Sequence, residues 1–150
     1  MENRFHGVVS LVLIAGAFLL GFLIILKSNV FAGLLYGVLV LIGAFLIVYV
    51  FCTKCPIRTS GCRHVFPGQL TAWLPARPQT AYTPVDYLAV GVVLIVLIGY
   101  PHPWLLEHIG SLLVFWFFLA VGLTEIVLFV CKGCGNLQCL VCKVRNSHRN

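Results

Sequence analysis

Twenty consecutive residues from Gly7 to Leu26 carry no charge, and the same holds from Phe31 to Phe51. Ile109 to Val130 repeats the pattern, broken only by Glu125. A helix rises about 1.5 Å per residue and needs about 20 apolar residues to cross the hydrocarbon of a bilayer, where no backbone N–H or C=O can be left unpaired. These three segments are therefore expected to span. A fourth, Tyr87 to Tyr100, reaches across only if Thr83 to Asp86 sit in the headgroup layer and count towards the span. Composition agrees, since 61% of the 150 residues are apolar, 9% are charged and the mean hydropathy is +1.04, beyond what a domain with a polar surface reaches. The chain reads as an all-α membrane protein with four transmembrane helices. The first segment follows Arg4 as a signal peptide would, but its apolar run is too long and no small-x-small cleavage site follows, so it is read as a helix that stays.

Basic residues set the expected orientation. In a four-helix topology Arg4, Lys54, Arg58, Arg63, Arg77, Lys132, Lys143, Arg145 and Arg149 fall on one side and Lys27 alone on the other. Cytoplasmic loops carry the excess of Lys and Arg, so both termini and the long middle loop are expected in the cytoplasm, with the chain integral to the inner (plasma) membrane. The net charge of +6 is thus accounted for by topology. Nucleic acid is not an expected partner, because the basic residues are scattered among cysteines and prolines beside a membrane.

The chain divides into two similar halves. Ile47 to Cys55 reads IVYVFCTKC and Ile126 to Cys134 reads IVLFVCKGC, so each returning helix runs directly into a Cys-x-x-Cys pair. This predicts two tandem helical hairpins related by an axis along the membrane normal. Residues 1–55 form the first hairpin, 56–84 a Pro-rich loop along the cytoplasmic interface, 85–134 the second hairpin, and 135–150 a Cys-rich basic cytoplasmic tail. Gly33 and Gly37, with Gly43 and Ala44 beyond, give the second helix a small-residue face for close helix contact.

All seven cysteines lie outside the spans' interiors: Cys52, Cys55 and Cys62 in the middle loop, Cys131, Cys134, Cys139 and Cys142 in the tail. Cysteines used as small hydrophobes would be scattered through the helices. In a reducing cytoplasm, three Cys-x-x-Cys pairs point to metal ligation or redox chemistry rather than to structural disulfides. Two intervening residues let a tight turn aim both thiolates at one ion while backbone N–H groups donate to sulfur. The tail supplies four thiolates; the loop supplies three, and His64 completes a Cys₃His set. Eight candidate ligands thus make two groups of four, suited to two zinc sites or, alternatively, to a [4Fe–4S] cluster. The pairs at the ends of the second and fourth helices can instead share one ion, leaving Cys62, His64, Cys139 and Cys142 for another, and spacing alone does not choose. Zinc is favoured because electron-carrying clusters usually place their third cysteine closer. Haem is disfavoured, since His6, His64, His102, His108 and His148 all lie at ends or in loops.

Glu125 is the intramembrane acid, and charge in hydrocarbon marks either a functional site or a group reaching the interface or an arginine. His102, Glu107 and His108 sit in a turn, Pro-His-Pro-Trp, that reads as an interfacial anchor. No P-loop, nucleotide turn, zincin helix or serine elbow is present, so a non-catalytic subunit is expected. Quinone-linked thiol oxidases also combine four spans with Cys-x-x-Cys, but on the oxidising side of the membrane, opposite to the side inferred here. The expected function is a metal-binding accessory or scaffold subunit, its cytoplasmic Cys/His sites capping the helices and docking a partner in a larger membrane complex. The alternatives are an iron–sulfur electron-transfer subunit linked to quinone and a thiol–disulfide redox protein using Cys52/Cys55 or Cys139/Cys142 beside lysines that lower their pKa.

Overall fold

The computed structural model describes residues 2–58, 62, 65–75, 77–78, 81–134, 136 and 138–139. Among them the regular structure is helical, and four helices are long and apolar enough to cross a membrane: Phe5–Ser28, Val30–Cys52, Pro84–Leu106 and Ile109–Val130. Helix α1, Glu2–Ser28, ends at a single extended residue, Asn29, whose side chain accepts a hydrogen bond from the Ala32 N–H at 3.0 Å and so caps α2, Val30–Ile47. The reversal between these spans is therefore one residue long. It brings the helices so close that a Cβ on Gly33 would lie 2.7 Å from the Leu26 Cα.

Helix α2 widens at its end into a π-turn, Val48–Cys52, and the Val48 N–H is shared between the Ala44 and Phe45 carbonyls. A short helix α3, Val65–Thr71, lies in the middle loop against that π-turn and α1. Helix α4, Pro84–Gly99, begins with a capping box: the Thr83 hydroxyl accepts from the Asp86 N–H, and the Asp86 carboxylate accepts from the Thr83 N–H at 2.8 Å. The third span runs six residues further than the sequence reading allowed. Pro101 adopts helical angles and its carbonyl accepts from the Leu105 N–H at 3.0 Å, which carries the segment into α5, His102–Leu106. Proline at the start of a helical turn costs nothing, because its missing N–H has no intrahelical partner there. Helix α6, Ile109–Glu125, closes the set and, like α2, ends in a π-turn, Ile126–Val130, before a 3₁₀ turn at Cys131–Gly133.

Three antiparallel contacts order the spans. Helix α1 meets α2 at Leu26/Gly33 and Phe22/Gly37, and meets α6 at Ser10/Gly122 and Phe118/Gly16. Helix α2 meets α4 where the buried Tyr36 hydroxyl donates to the Leu97 carbonyl at 2.9 Å and where Gly43 faces Val93 and Leu97. Neighbours in sequence, α4 and α6 thus find their main partners in α2 and α1 rather than in each other. The small-residue face of α2 serves two helices, Gly33 and Gly37 admitting α1 and Gly43 admitting α4. The best-packed cluster joins Ala17 of α1, Leu105 of α5 and Phe115 and Leu119 of α6. Most other apolar side chains of the spans face outward, as lipid-facing residues do.

Candidate cysteine-rich site

One end of the bundle gathers the start of α1, the two π-turns, the start of α4 and the first residues of the tail. At this end the Cys52–Cys55 segment is a tight turn closed by the Cys55 N–H on the Cys52 carbonyl at 3.2 Å. Both intervening residues are anchored. The buried Thr53 hydroxyl bonds back to the Tyr49 carbonyl at 2.5 Å, and Lys54 donates from Nζ to Asp86 Oδ2 at 2.6 Å, with both side chains only 6% exposed. Arg77 adds a longer contact to Asp86 at 3.4 Å and lies over the Tyr49 ring. Lys54 is thus paired with a carboxylate.

The second pair repeats the turn, with the Cys134 N–H on the Cys131 carbonyl at 3.2 Å and Cys131 buried. Two residues beyond Cys134, the buried side chain of Asn136 joins the halves. Its Nδ2 donates to Cys55 Sγ at 3.4 Å and to the Tyr82 hydroxyl at 3.1 Å, and Tyr82 in turn donates to the Phe51 carbonyl at 3.0 Å while stacking on the Phe51 ring. Around Cys55, burial pushes the thiol up, a backbone hydrogen bond from Ile57 and the Asn136 amide oppose this, and the thiols of Cys134 and Cys62 add to the upward push. Cys52 lies within electrostatic range of Cys55 and Cys62, and Cys139 within range of the Tyr82 hydroxyl, whose proton is held by burial. Cys62 is pressed by α3, since a Cβ on Gly68 would sit 2.9 Å from the Cys62 Cβ and 3.3 Å from its Sγ.

Among the described residues, Cys52, Cys55, Cys62, Cys131, Cys134 and Cys139 form no disulfide bond. Among the described residues no three side chains of His, Cys, Asp or Glu stand close enough to hold a metal ion as they are. His64 and Cys142 lie outside the described residues.

Glu125 has a partner at the same end, and it is a histidine. His6 Nδ1 and Glu125 Oε2 are 2.7 Å apart, partly exposed, and the imidazole stacks on Phe129 at 4.4 Å between centroids. At the opposite end His102 uses both ring nitrogens, Nδ1 on the Ile98 carbonyl at 2.7 Å and Nε2 on the Trp116 indole N–H at 3.2 Å, which leaves no lone pair for a metal. The residues that spacing did not flag are Asn136, Tyr82, Asp86 and His6. Only Asp86 had a local signal, as the fourth residue of a Thr-x-x-Asp capping pattern. No family model, curated protein or solved structure matches this chain.

Proposed function

We propose that the chain is a non-catalytic scaffold or accessory subunit of a larger membrane complex, integral to the inner (plasma) membrane, whose Cys-rich end lies in the cytoplasm, binds zinc and docks a partner. The observation that carries this reading is the meeting of Cys55 with Asn136 and Cys134. Two turns from different halves of the chain meet where thiolates would be needed. Amide donors to a sulfur favour its ionised form, the form a metal takes. Burial of the Cys55 thiol disfavours a free thiolate, so this cysteine suits a ligand whose charge a cation neutralises better than an exposed redox nucleophile.

A clip of this kind answers a physical need. In lipid no hydrophobic effect drives helices together, so packing of small residues and polar contacts must hold the bundle. A structural zinc site contributes on the order of 10 kcal/mol of apparent binding free energy, comparable to the whole stability of a typical domain. Elemental analysis and an absorption spectrum of the purified protein test the reading. Stoichiometric zinc in a colourless protein is expected; iron and sulfide with visible absorption would replace it with the electron-transfer reading, and a metal-free protein whose Cys→Ser variants lose only thiol exchange would replace it with the redox reading.

A further inference from the structure

We infer that the end of the bundle remote from the cysteines carries a pH-sensitive latch, in which neutral His102 ties α5 to α6 through Trp116 and protonation of His102 undoes the tie. The chemistry follows from what each partner can do. The Ile98 carbonyl only accepts, so the Nδ1 atom that it meets at 2.7 Å carries a proton. The Trp116 indole N–H only donates, so Nε2, 3.2 Å away, presents a lone pair. One neutral tautomer satisfies both contacts. A second proton would sit on Nε2 and point at the indole N–H, so charging the ring puts a donor where an acceptor stood. Aromatic edges hold the ring in place, with the centroids of Phe115 and Trp116 at 6.0 and 5.7 Å.

The latch acts on the far side of a helix break. Proline has no N–H, so Pro101 cannot serve the Leu97 carbonyl four residues back, and the Tyr36 hydroxyl of α2 takes that place at 2.9 Å. Pro101 and Tyr36 are both fully buried, and a Cβ on Gly21 of α1 would lie 3.2 Å from the Pro101 Cβ and 3.4 Å from Tyr36 Cε1. The break is therefore pinned where α1, α2 and the third span meet. Beyond it α5 is five residues long, too short to be held by its own backbone hydrogen bonds. Leu105, buried with Ala17, Phe115 and Leu119, and the His102–Trp116 hydrogen bond fix it to the bundle. Apolar packing is indifferent to pH, whereas this hydrogen bond is not, so protonation loosens α5 about a pinned break rather than releasing it. Around the ring, α1 ends in Lys27, the turn after α5 holds Glu107 and His108, α2 and α4 bring the Tyr36 and Tyr100 phenols, and α6 has no ionisable side chain between Ile109 and Thr124. His108 alone among these shares the chemistry of His102, so the two histidines have to be told apart.

The test uses the full chain in detergent, where both ends meet the same pH, so its outcome depends neither on orientation nor on metal. Nitrogen-15 spectra of the histidine rings and the tryptophan indoles are followed from about pH 8 to about pH 5, the range in which imidazoles change charge. In the parent protein His102 is expected as the Nδ1–H tautomer at the alkaline end. The Trp116 indole proton should shift upfield as that ring gains its second proton, while Trp73 at the other end stays in place. An Nε2–H ring, or a Trp116 signal that ignores the titration, would overturn the latch. Hydrogen exchange of the α5 backbone, corrected for the intrinsic effect of pH, supplies a second measurement. Protection across His102–Leu106 should fall about 2–10-fold on acidification, the effect of one hydrogen bond on a local opening. His102→Gln should abolish this pH dependence, and His108→Gln and Glu107→Gln should keep it. Unchanged α5 protection while the Trp116 signal moves would overturn the latch, and loss of the response in His108→Gln would overturn its assignment to His102.

Discussion

Lys54 and Asp86 show how individual residues fix this end of the bundle. Both are almost fully buried, and removing one strands the other's charge, which costs about 3–5 kcal/mol. Asp86→Ala is therefore expected to lower stability by that amount in a denaturant titration in detergent. The paired change Lys54→Met with Asp86→Leu should recover most of it, less about 1 kcal/mol for the lost cap on α4. Arg77 is more exposed and farther from the carboxylate, so Arg77→Ala should cost no more than about 1 kcal/mol. A different kind of test applies to His6 and Glu125. A carboxylate accepts, so an imidazole that makes this contact carries a proton on Nδ1, and nitrogen-15 spectra of the ring should report a proton there in the parent protein; a ring with its proton on Nε2 alone would remove the hydrogen bond. Sequence marked Glu125 because an acid within a span is rare, yet it did not mark His6, which stands 119 positions away. The same holds for Asn136, 81 positions from Cys55. Composition and spacing report what a residue costs where it sits, whereas a partner across the bundle depends on which helices pack.

At the scale of elements, hydropathy located all four spans, because burial of an unpaired backbone in lipid leaves helices as the available solution. It missed two things. Proline ends most helices, but Pro101 here starts a new turn, so the third span was read short; and the π-turns that close α2 and α6 have no signature in apolar sequence. Five residues in a wide i→i+5 turn cover about the same rotation as four at about 100° each in an α-helix. Deleting Leu128 should therefore convert the second π-turn to α while leaving Cys131 and Cys134 at their present azimuth, and zinc content should survive. Zinc loss without loss of membrane insertion would mean that the turn itself aims the cysteines. The glycines make a sharper contrast. A methyl on Gly33 would run into the Leu26 backbone, which cannot yield, whereas one on Gly91 meets nothing within 4 Å. Gly33→Ala should separate α1 from α2 and lower stability in the same titration, while Gly91→Ala should be neutral or slightly favourable, since alanine is the better helix former.

For the whole molecule, the two ends of the bundle differ in chemistry as well as in shape. Lys54, Arg58, Arg77 and Lys132 belong to the end that carries the cysteines, and Lys27 stands beside the Asn29 reversal at the other. Trp73, 91% exposed, and the Phe51–Tyr82–Tyr87 cluster edge the first end, and Tyr100, Trp104 and Trp116 edge the second, so each end carries the amphipathic rings that favour the headgroup layer. This polarity makes the topology testable without knowledge of any partner. Since Lys and Arg are retained on the cytoplasmic side, the cysteine end is expected to face the lumen-excluded, outer surface of sealed inside-out vesicles. A bulky, membrane-impermeant thiol reagent added to such vesicles after chelation should label Cys62 and Cys142, and a cysteine introduced as Asn29→Cys in a cysteine-free background should be protected until the membrane is opened. The reverse pattern would place the thiols in an oxidising compartment, where paired cysteines form disulfides rather than bind zinc. Orientation is therefore the premise on which the chemistry of the site depends, and a single labelling experiment decides it.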